Sequence, residues 1–335
     1  MSDVLLEVDN LKTYFFMDQG VIRAVDGVSF TLREGETLGI VGESGCGKSV
    51  TARSILRLLP HPVARIVEGR ITYHTGDGRS IDITSLDHQG KRIRSIRGNE
   101  IAMIFQEPMT SLNPVYTIGE QIMEAIRLHQ NVTRDEARQR AIEMLRLVGI
   151  PEAEQRVDQY QHHFSGGMRQ RAMIAMALSC NPRILIADEP TTALDVTIEA
   201  QILDLITEIQ AKNRMALIMI THDLNVIGEM ADRVIVMYMG KVVEDTTVDR
   251  IFDAPKHPYT QGLLNSLPQI GRRQRLSPIT GSVPNPYLIP KGCSFAPRCP
   301  HVMDKCRTME PPIIPIDEQT GAACWLYEEA VEAAT

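Results

Sequence analysis

The chain has 335 residues, 43% of them hydrophobic and 5% aromatic, and carries 35 Lys and Arg against 42 Asp and Glu. A net charge of −7 leaves no basic excess to neutralise a polynucleotide backbone, so no nucleic-acid partner is expected. No apolar run reaches the roughly 18 to 20 residues of a membrane helix, and the start carries acids where a signal peptide carries bases, so residence in the cytoplasm is expected.

Residues Met1 to Arg33 read as strand pairs with polar punctuation and predict an antiparallel subdomain at the edge of the fold. The first buried strand follows at Thr37 to Val41. Further β-branched runs at Ile101 to Phe105, Ile184 to Ala187, Ala216 to Ile220 and Arg233 to Tyr238 alternate with helical patterns. That alternation is the mark of an α/β fold with a largely parallel sheet. Two helix-length patterns between Tyr116 and Leu147 have no strand between them and predict a helical insertion. After Leu267 the composition turns to Pro, Gly and Arg, which reads as an irregular linker. The basic run at 91–97 and the linker residues Arg272, Arg273 and Arg275 read as solvated faces.

Residues Gly42, Glu43, Ser44, Gly45, Cys46, Gly47, Lys48 and Ser49 spell G-x-x-x-x-G-K-S between the strand TLGIV and the helical run SVTARSILRLL. A glycine-rich turn points several backbone N–H groups inward, and the helix behind it adds its positive end, so the two cradle phosphates. Lys48 is expected to neutralise the terminal phosphates and Ser49 to bind Mg²⁺. A second piece, ILIADE, ends an apolar strand in Asp188, expected to hold Mg²⁺, and Glu189, expected to orient or deprotonate the attacking water. The third piece, Ser165-Gly166-Gly167 at the start of a helical run, is another phosphate-sized anion site. One γ-phosphate has no use for two such sites in one protomer, whereas two protomers placed head to tail would use both.

At this point the chain resembles the ATP-binding subunits of ABC transporters, whose signature is LSGGQ-like and here reads Phe164-Ser165-Gly166-Gly167-Met168. The resemblance implies an ATPase core with an antiparallel β subdomain and a helical subdomain at about 107–180, together spanning 1–255. It implies a Q-loop at Gln106, contacting Mg²⁺ and the membrane subunits, a D-loop at Ala193-Leu194-Asp195, and a switch histidine at His222. Phe15 falls where the family stacks adenine, with Tyr14 and Phe16 as alternatives and a core role as the competing reading.

Longer stretches, among them FQEPMTSLNPVYTIGEQI and HPYTQGLLNSLP, resemble the importers of dipeptides, oligopeptides and, in some members, nickel. That implies two transmembrane permease subunits, an extracytoplasmic substrate-binding protein, a paralogous ATP-binding partner in a heterodimer, and a peripheral place on the cytoplasmic face of the membrane. Soluble ABC ATPases of DNA repair and translation are the competing class. Repair ATPases carry a long coiled coil between P-loop and signature, while translation ATPases carry two cassettes. Here 115 residues separate Ser49 from Ser165 and the motifs occur once. Before the signature the family reads Tyr-Pro-His, and this chain has Tyr160-Gln161-His162.

Residues 256–335 form a C-terminal extension in which Cys293, Cys299, Cys306 and Cys324 are spaced C-x5-C-x6-C-x17-C in a Pro-rich segment with few core-forming residues. The spacing lacks the C-x2-4-C pairs common in structural zinc sites. On the residues alone, an iron–sulfur cluster and zinc stand level, with no metal as the third reading. The peptide-importer resemblance implies a [4Fe-4S] cluster on these four cysteines. Cys180 reads as packing. Cys46, beside Lys48 and a helix N-terminus, is expected to favour its thiolate, so that alkylation would block hydrolysis and ATP would protect.

Overall fold

The structure, a computed structural model, describes residues 3–107, 111–192, 195–266 and 279–328. The chain opens with β1 (Val4–Met17), β2 (Gly20–Arg33), β3 (Thr37–Val41), α1 (Lys48–Ile55), β4 (Ala64–His74) and β5 (Ser80–Asp82). There follow α2 (Lys91–Ile96), β6 (Ile101–Ile104), α3 (Ile118–His129), α4 (Arg134–Leu147), α5 (Ala153–Arg156), α6 (Gly166–Leu178), β7 (Ile184–Asp188), α7 (Val196–Asn213) and β8 (Ala216–Ile220). The last third holds α8 (Leu224–Met230), β9 (Arg233–Tyr238), β10 (Lys241–Thr247), α9 (Val248–Asp253), α10 (Pro258–Asn265), α11 (Asp304–Thr308), β11 (Ile314–Asp317) and β12 (Thr320–Ala322). These elements fall into two compact units.

One unit comprises Leu32–Thr37 and Ser85–Ile220 with the start of β1. Its strands β6, β7 and β8 are parallel, with Ile104 opposite Ala187 and Ala187 opposite Met219. Every residue of the three is buried, which is why they read as unbroken apolar runs rather than as alternating ones. The two expected insertion helices are α3 and α4, packed on each other and on α6. Both start with reciprocal capping boxes, Thr117 with Glu120 and Thr133 with Glu136, which satisfy two otherwise unpaired backbone donors each. In α2 the basic run keeps Ile93 and Ile96 buried and Lys91, Arg92 and Arg94 exposed, a solvated face as expected.

The other unit comprises Leu5–Thr31, Leu38–Thr84 and the chain from Thr221 onward. It holds an antiparallel sheet in the order β2-β1-β4-β5 and a second set in the order β11-β12-β10-β9-β3. The strand β3 runs parallel to β9, with Ile40 opposite Ile235. The C-terminal cysteine segment departs from expectation, because it packs. The hairpin β11–β12 adds to β10, with Glu244 opposite Ala322, and Phe295 is 2% exposed, its ring among those of Tyr238, Tyr259 and His257. Two strands of four and three residues, one interrupted by Pro315, carry too little alternation to stand out in the sequence. The expected linker with Arg272, Arg273 and Arg275 lies mostly outside the described residues, as do Ala193 and Leu194. No helix among the described residues is long and apolar enough to cross a membrane.

Candidate nucleotide site

The phosphate loop runs from the end of β3 into α1. Gly42 and Gly47 have φ of 150° and 106°, a region that L-residues with a Cβ avoid. A Cβ on Gly42 would stand 2.2 Å from the Met237 carbonyl oxygen, and one on Gly47 would stand 2.2 Å from that of Ala24. The two glycines are therefore required where the loop presses against its own scaffold. Ser44 and Gly45 are exposed, leaving the concave face of the loop open to solvent. Lys48, 5% exposed, donates through Nζ to the carbonyls of Gly42 at 2.7 Å and Glu43 at 3.2 Å. The ammonium thus lies against its own loop, inside a glycine cradle of the kind that binds phosphate. The α1 N-terminus supplies the remaining donors, and Ser49 sits half-buried on its first turn.

Cys46 corrects the sequence expectation. It is 4% exposed, and its burial pushes the thiol up; the Lys48 ammonium opposes this with a smaller effect. The helix end and the lysine suggest a thiolate only if water reaches the sulfur, and here it does not. Cys180 is buried, with its thiol 3.6 Å from the Ala125 carbonyl, as its packing role predicts.

In the unit that carries β7, Asp188 closes the strand at 1% exposure and Glu189 follows with a φ of 48°. That left-handed turn swings Glu189 off the strand axis. Its Oε2 accepts from Gln106 Nε2 at 2.9 Å and from Thr192 Oγ1 at 2.9 Å. Two residues 83 apart in sequence are thus brought together at the ends of the neighbouring strands β6 and β7. In the same unit Ser165 caps α6, accepting from the Met168 N–H at 3.3 Å. Ser165 and Gly166 are exposed, and a Cβ on Gly166 would meet nothing within 4 Å, so the helix start faces solvent. Asp195 caps α7 through the Ile198 N–H at 3.0 Å. Gln161, the departure from the family pattern, is buried and donates to the Leu112 carbonyl at 3.0 Å.

His222 lies in the other unit, exposed just beyond β8. The bland reading of the Thr-His-Asp run as a helix cap belongs to its neighbour, since Asp223 accepts from the Asn225 N–H at 2.8 Å. Among the three aromatics of β1, Tyr14 donates to Asp26 at 2.6 Å and Phe16 carries the Arg65 guanidinium 4.3 Å from its ring centre. Phe15 is half-buried between them.

All four extension cysteines line one narrow cleft together with Phe295, Pro311 and Trp325, and none is in a disulfide. Burial, reinforced by the other cysteines, pushes the thiols of Cys293, Cys299 and Cys324 up, the last to about 11. A bound cation would reverse that preference. Among the described residues no three His, Cys, Asp or Glu side chains already stand as a metal nest.

The sequence reading missed two residues at the phosphate loop. Tyr259 Oη accepts from the Glu43 N–H at 2.8 Å, and Arg298 makes a two-pronged ion pair with the Glu43 carboxylate at 2.7 and 3.0 Å. They lie 216 and 255 positions downstream of Glu43, and no local pattern links such distant residues.

A glycine-cradled lysine loop, a strand ending in two carboxylates and a solvent-facing Ser-Gly-Gly helix start define a P-loop ATPase of the cassette class. Residues 25–192 match the ABC transporter family, and residues 243–306 match the oligopeptide/dipeptide transporter C-terminal region. The chain is 55% identical over 326 residues, 97% of each protein, to the oligopeptide transport ATP-binding protein AppD of Bacillus subtilis. It is 48% identical over 321 residues, 96% of each, to the dipeptide transport ATP-binding protein DppD of Escherichia coli. Among solved structures it is similar to the dimeric bacterial ABC transporter cassette MJ0796, with a TM-score of 0.63 and 28% identity over 72% of this chain and 98% of that one. The chain belongs to the ABC transporter ATP-binding family, carries the C-terminal region of its oligopeptide/dipeptide group, and works with ATP and Mg²⁺.

Proposed function

We propose that the protein is the ATP-hydrolysing subunit of an importer of dipeptides or oligopeptides, seated on the cytoplasmic face of the membrane against two permease subunits and served by an extracytoplasmic binding protein. The observation that carries the catalytic part is the Gln106–Glu189 hydrogen bond at 2.9 Å, which poises a carboxylate at the end of an apolar strand. The cargo reading rests on near full-length similarity to peptide-transport relatives.

In this reading residues 1–255 form the ATP-binding domain, with the helical subdomain at about 107–180, and 256–335 form the extension. Phe15 stacks adenine, the Ser44 to Gly47 amides and Lys48 bind the phosphates, and Ser49, Gln106 and Asp188 would hold Mg²⁺, which when bound would offset the charge that develops on the phosphoryl oxygens. Glu189 orients the attacking water and takes its proton, and His222 meets the γ-phosphate. Ser165, Gly166, Gly167 and Asp195 act on the nucleotide of a paralogous partner, closing two unequal subunits head to tail. Closure on ATP moves the permease pair, and hydrolysis resets it. The four extension cysteines hold a [4Fe-4S] cluster, supported by their shared cleft; bound there, it would cross-link a segment built on very short strands.

The test is affinity purification of the chain from gently solubilised native membranes, with an ATPase assay on what is recovered. Two permease subunits, a second ATPase and hydrolysis stimulated by peptide-loaded binding protein are expected. Stimulation by a nickel chelate instead would move the cargo within the group, and recovery of only soluble repair or ribosomal factors would overturn transport. Iron and labile sulfide are expected in anaerobically purified protein; zinc alone would remove the cluster.

A further inference from the structure

Glu43 is the second residue of the phosphate loop, and its side chain has no counterpart in nucleotide chemistry. It is nonetheless held in three directions. Its N–H donates to Tyr259 Oη at 2.8 Å, its carbonyl accepts from Lys48 Nζ at 3.2 Å, and its carboxylate takes both prongs of Arg298 at 2.7 and 3.0 Å.

The two downstream partners are themselves rigidly placed. Tyr259 is 0% exposed, its ring centre 4.7 Å from that of Tyr238 and 5.4 Å from that of Phe295. It is the second residue of α10, whose cap is His257, with Nδ1 accepting from the Tyr259 N–H at 3.1 Å. The N–H groups of Lys256 and His257 in turn both donate to the buried Glu244 carboxylate of β10 at 2.8 Å. Arg298, with its side chain 5% exposed, also donates to the Thr280 carbonyl at 3.2 Å and ends the tight turn Ala296–Arg298, between Cys293 and Cys299. Such a guanidinium is seldom buried except where its planar fork matches a carboxylate, and misplacing either partner leaves a buried charge uncompensated.

We infer that Tyr259 and Arg298 are positioning residues for the phosphate loop, so that the C-terminal region is a working part of the nucleotide site. Fixing the Glu43 peptide plane fixes the direction from which the chain enters Ser44 to Gly47, and hence the aim of the amides that meet phosphate. A loop already aimed loses less conformational freedom when nucleotide binds, which is read as affinity. The ion pair also offsets the charge of a carboxylate at the loop, which unpaired would repel phosphates. The inference deepens the ATPase reading and rests on it only for its kinetic arm.

The test uses the full chain, alone and in its complex, with Tyr259→Phe, Arg298→Gln, Arg298→Lys and the exchange Glu43→Arg with Arg298→Glu. Tyr259→Phe removes one oxygen and keeps the buried ring, so the fold is retained. Hydrogen exchange of the amides at 44–47, measured without nucleotide, is expected to quicken severalfold in Tyr259→Phe and Arg298→Gln. The KM for ATP is expected to rise roughly three- to tenfold, the size of one or two lost hydrogen bonds, with kcat at saturating ATP within about twofold. Arg298→Lys and the charge exchange are expected to recover part of both changes. Loop exchange within twofold of wild type in folded Tyr259→Phe and Arg298→Gln overturns the inference, as does a KM that follows melting temperature alone without recovery by the exchange. Because loop exchange is read without nucleotide, it judges the clamp even if wild-type protein hydrolyses nothing, a result that would count against the ATPase reading instead.

Discussion

Gln106 and Glu189 meet side chain to side chain at 2.9 Å, and Thr192 reaches the same carboxylate oxygen at 2.9 Å. The proposed general base is therefore oriented by two donors from flanking loops.

Glu189→Gln is expected to lower turnover by at least about 10²-fold while ATP still binds, since the loss of a positioned base costs about 10² to 10⁴. An ATP-bound dimer should accumulate on size exclusion. Gln106→Ala, which frees the base without removing it, should slow turnover less. Single-turnover hydrolysis with both variants checks the order, and normal turnover in Glu189→Gln would remove the residue from the chemistry.

Cys46 is expected to resist alkylation. With the thiol buried and pushed above its ordinary range, iodoacetamide at pH 7 should produce no ATP-protectable loss of activity, and Cys46→Ser should be inactivated at the same rate as wild type. Rapid inactivation that ATP prevents, absent in the Ser variant, would show that water reaches the sulfur.

The buried histidine makes stability pH-dependent in a stated direction. Burial pushes His257 down to about 4, below the roughly 6.5 of an unfolded histidine. The unfolded state therefore binds the proton first: the contribution is intact above about pH 6.5 and is lost as pH falls towards 4, up to about 3 kcal/mol. Glu244, pushed up by burial, runs oppositely, its contribution present at low pH and lost as pH rises through its folded value. His257→Gln should thus flatten the fall in melting temperature between pH 7 and 5 relative to wild type; parallel curves would exclude the histidine as its cause.

Gln161 joins the segment after Gln106 to the turn before the signature through the Leu112 carbonyl. Its replacement by Pro, the residue usual in the family resemblance, removes the donor. The expected outcome is a loss of about 1 kcal/mol in stability and a changed ratio of peptide-stimulated to basal hydrolysis in the assembled complex. An unchanged ratio would reduce Gln161 to packing.

Much of this was legible in sequence because it is local. The expected strands at Thr37, Ile101, Ile184, Ala216 and Arg233 begin where the runs begin, since strands buried on both faces announce themselves as continuous apolar stretches. The phosphate loop was legible because its eight motif residues are contiguous, between a buried strand and a helix. What escaped depends on distance along the chain. The neighbours of β1 are β2 and β4, and the second of these begins 60 residues after Val4; its burial is mixed, with Arg65, Glu68 and Arg70 exposed. The extension hid its order for a different reason: its core is Phe295 inserted among rings that β9 and α10 contribute. Arg298 carries no local pattern that marks it, and its ion pair is with a residue 255 positions upstream.

The β11–β12 hairpin has one more consequence. Because β12 pairs with β10, the hairpin covers the hydrogen-bonding rim that β10 would otherwise present to solvent, and an uncovered rim is a template for joining to other chains. A chain shortened after α10 would lose that cover and the Phe295 plug together. It would be expected to self-associate through β10, making the hairpin a guard on solubility.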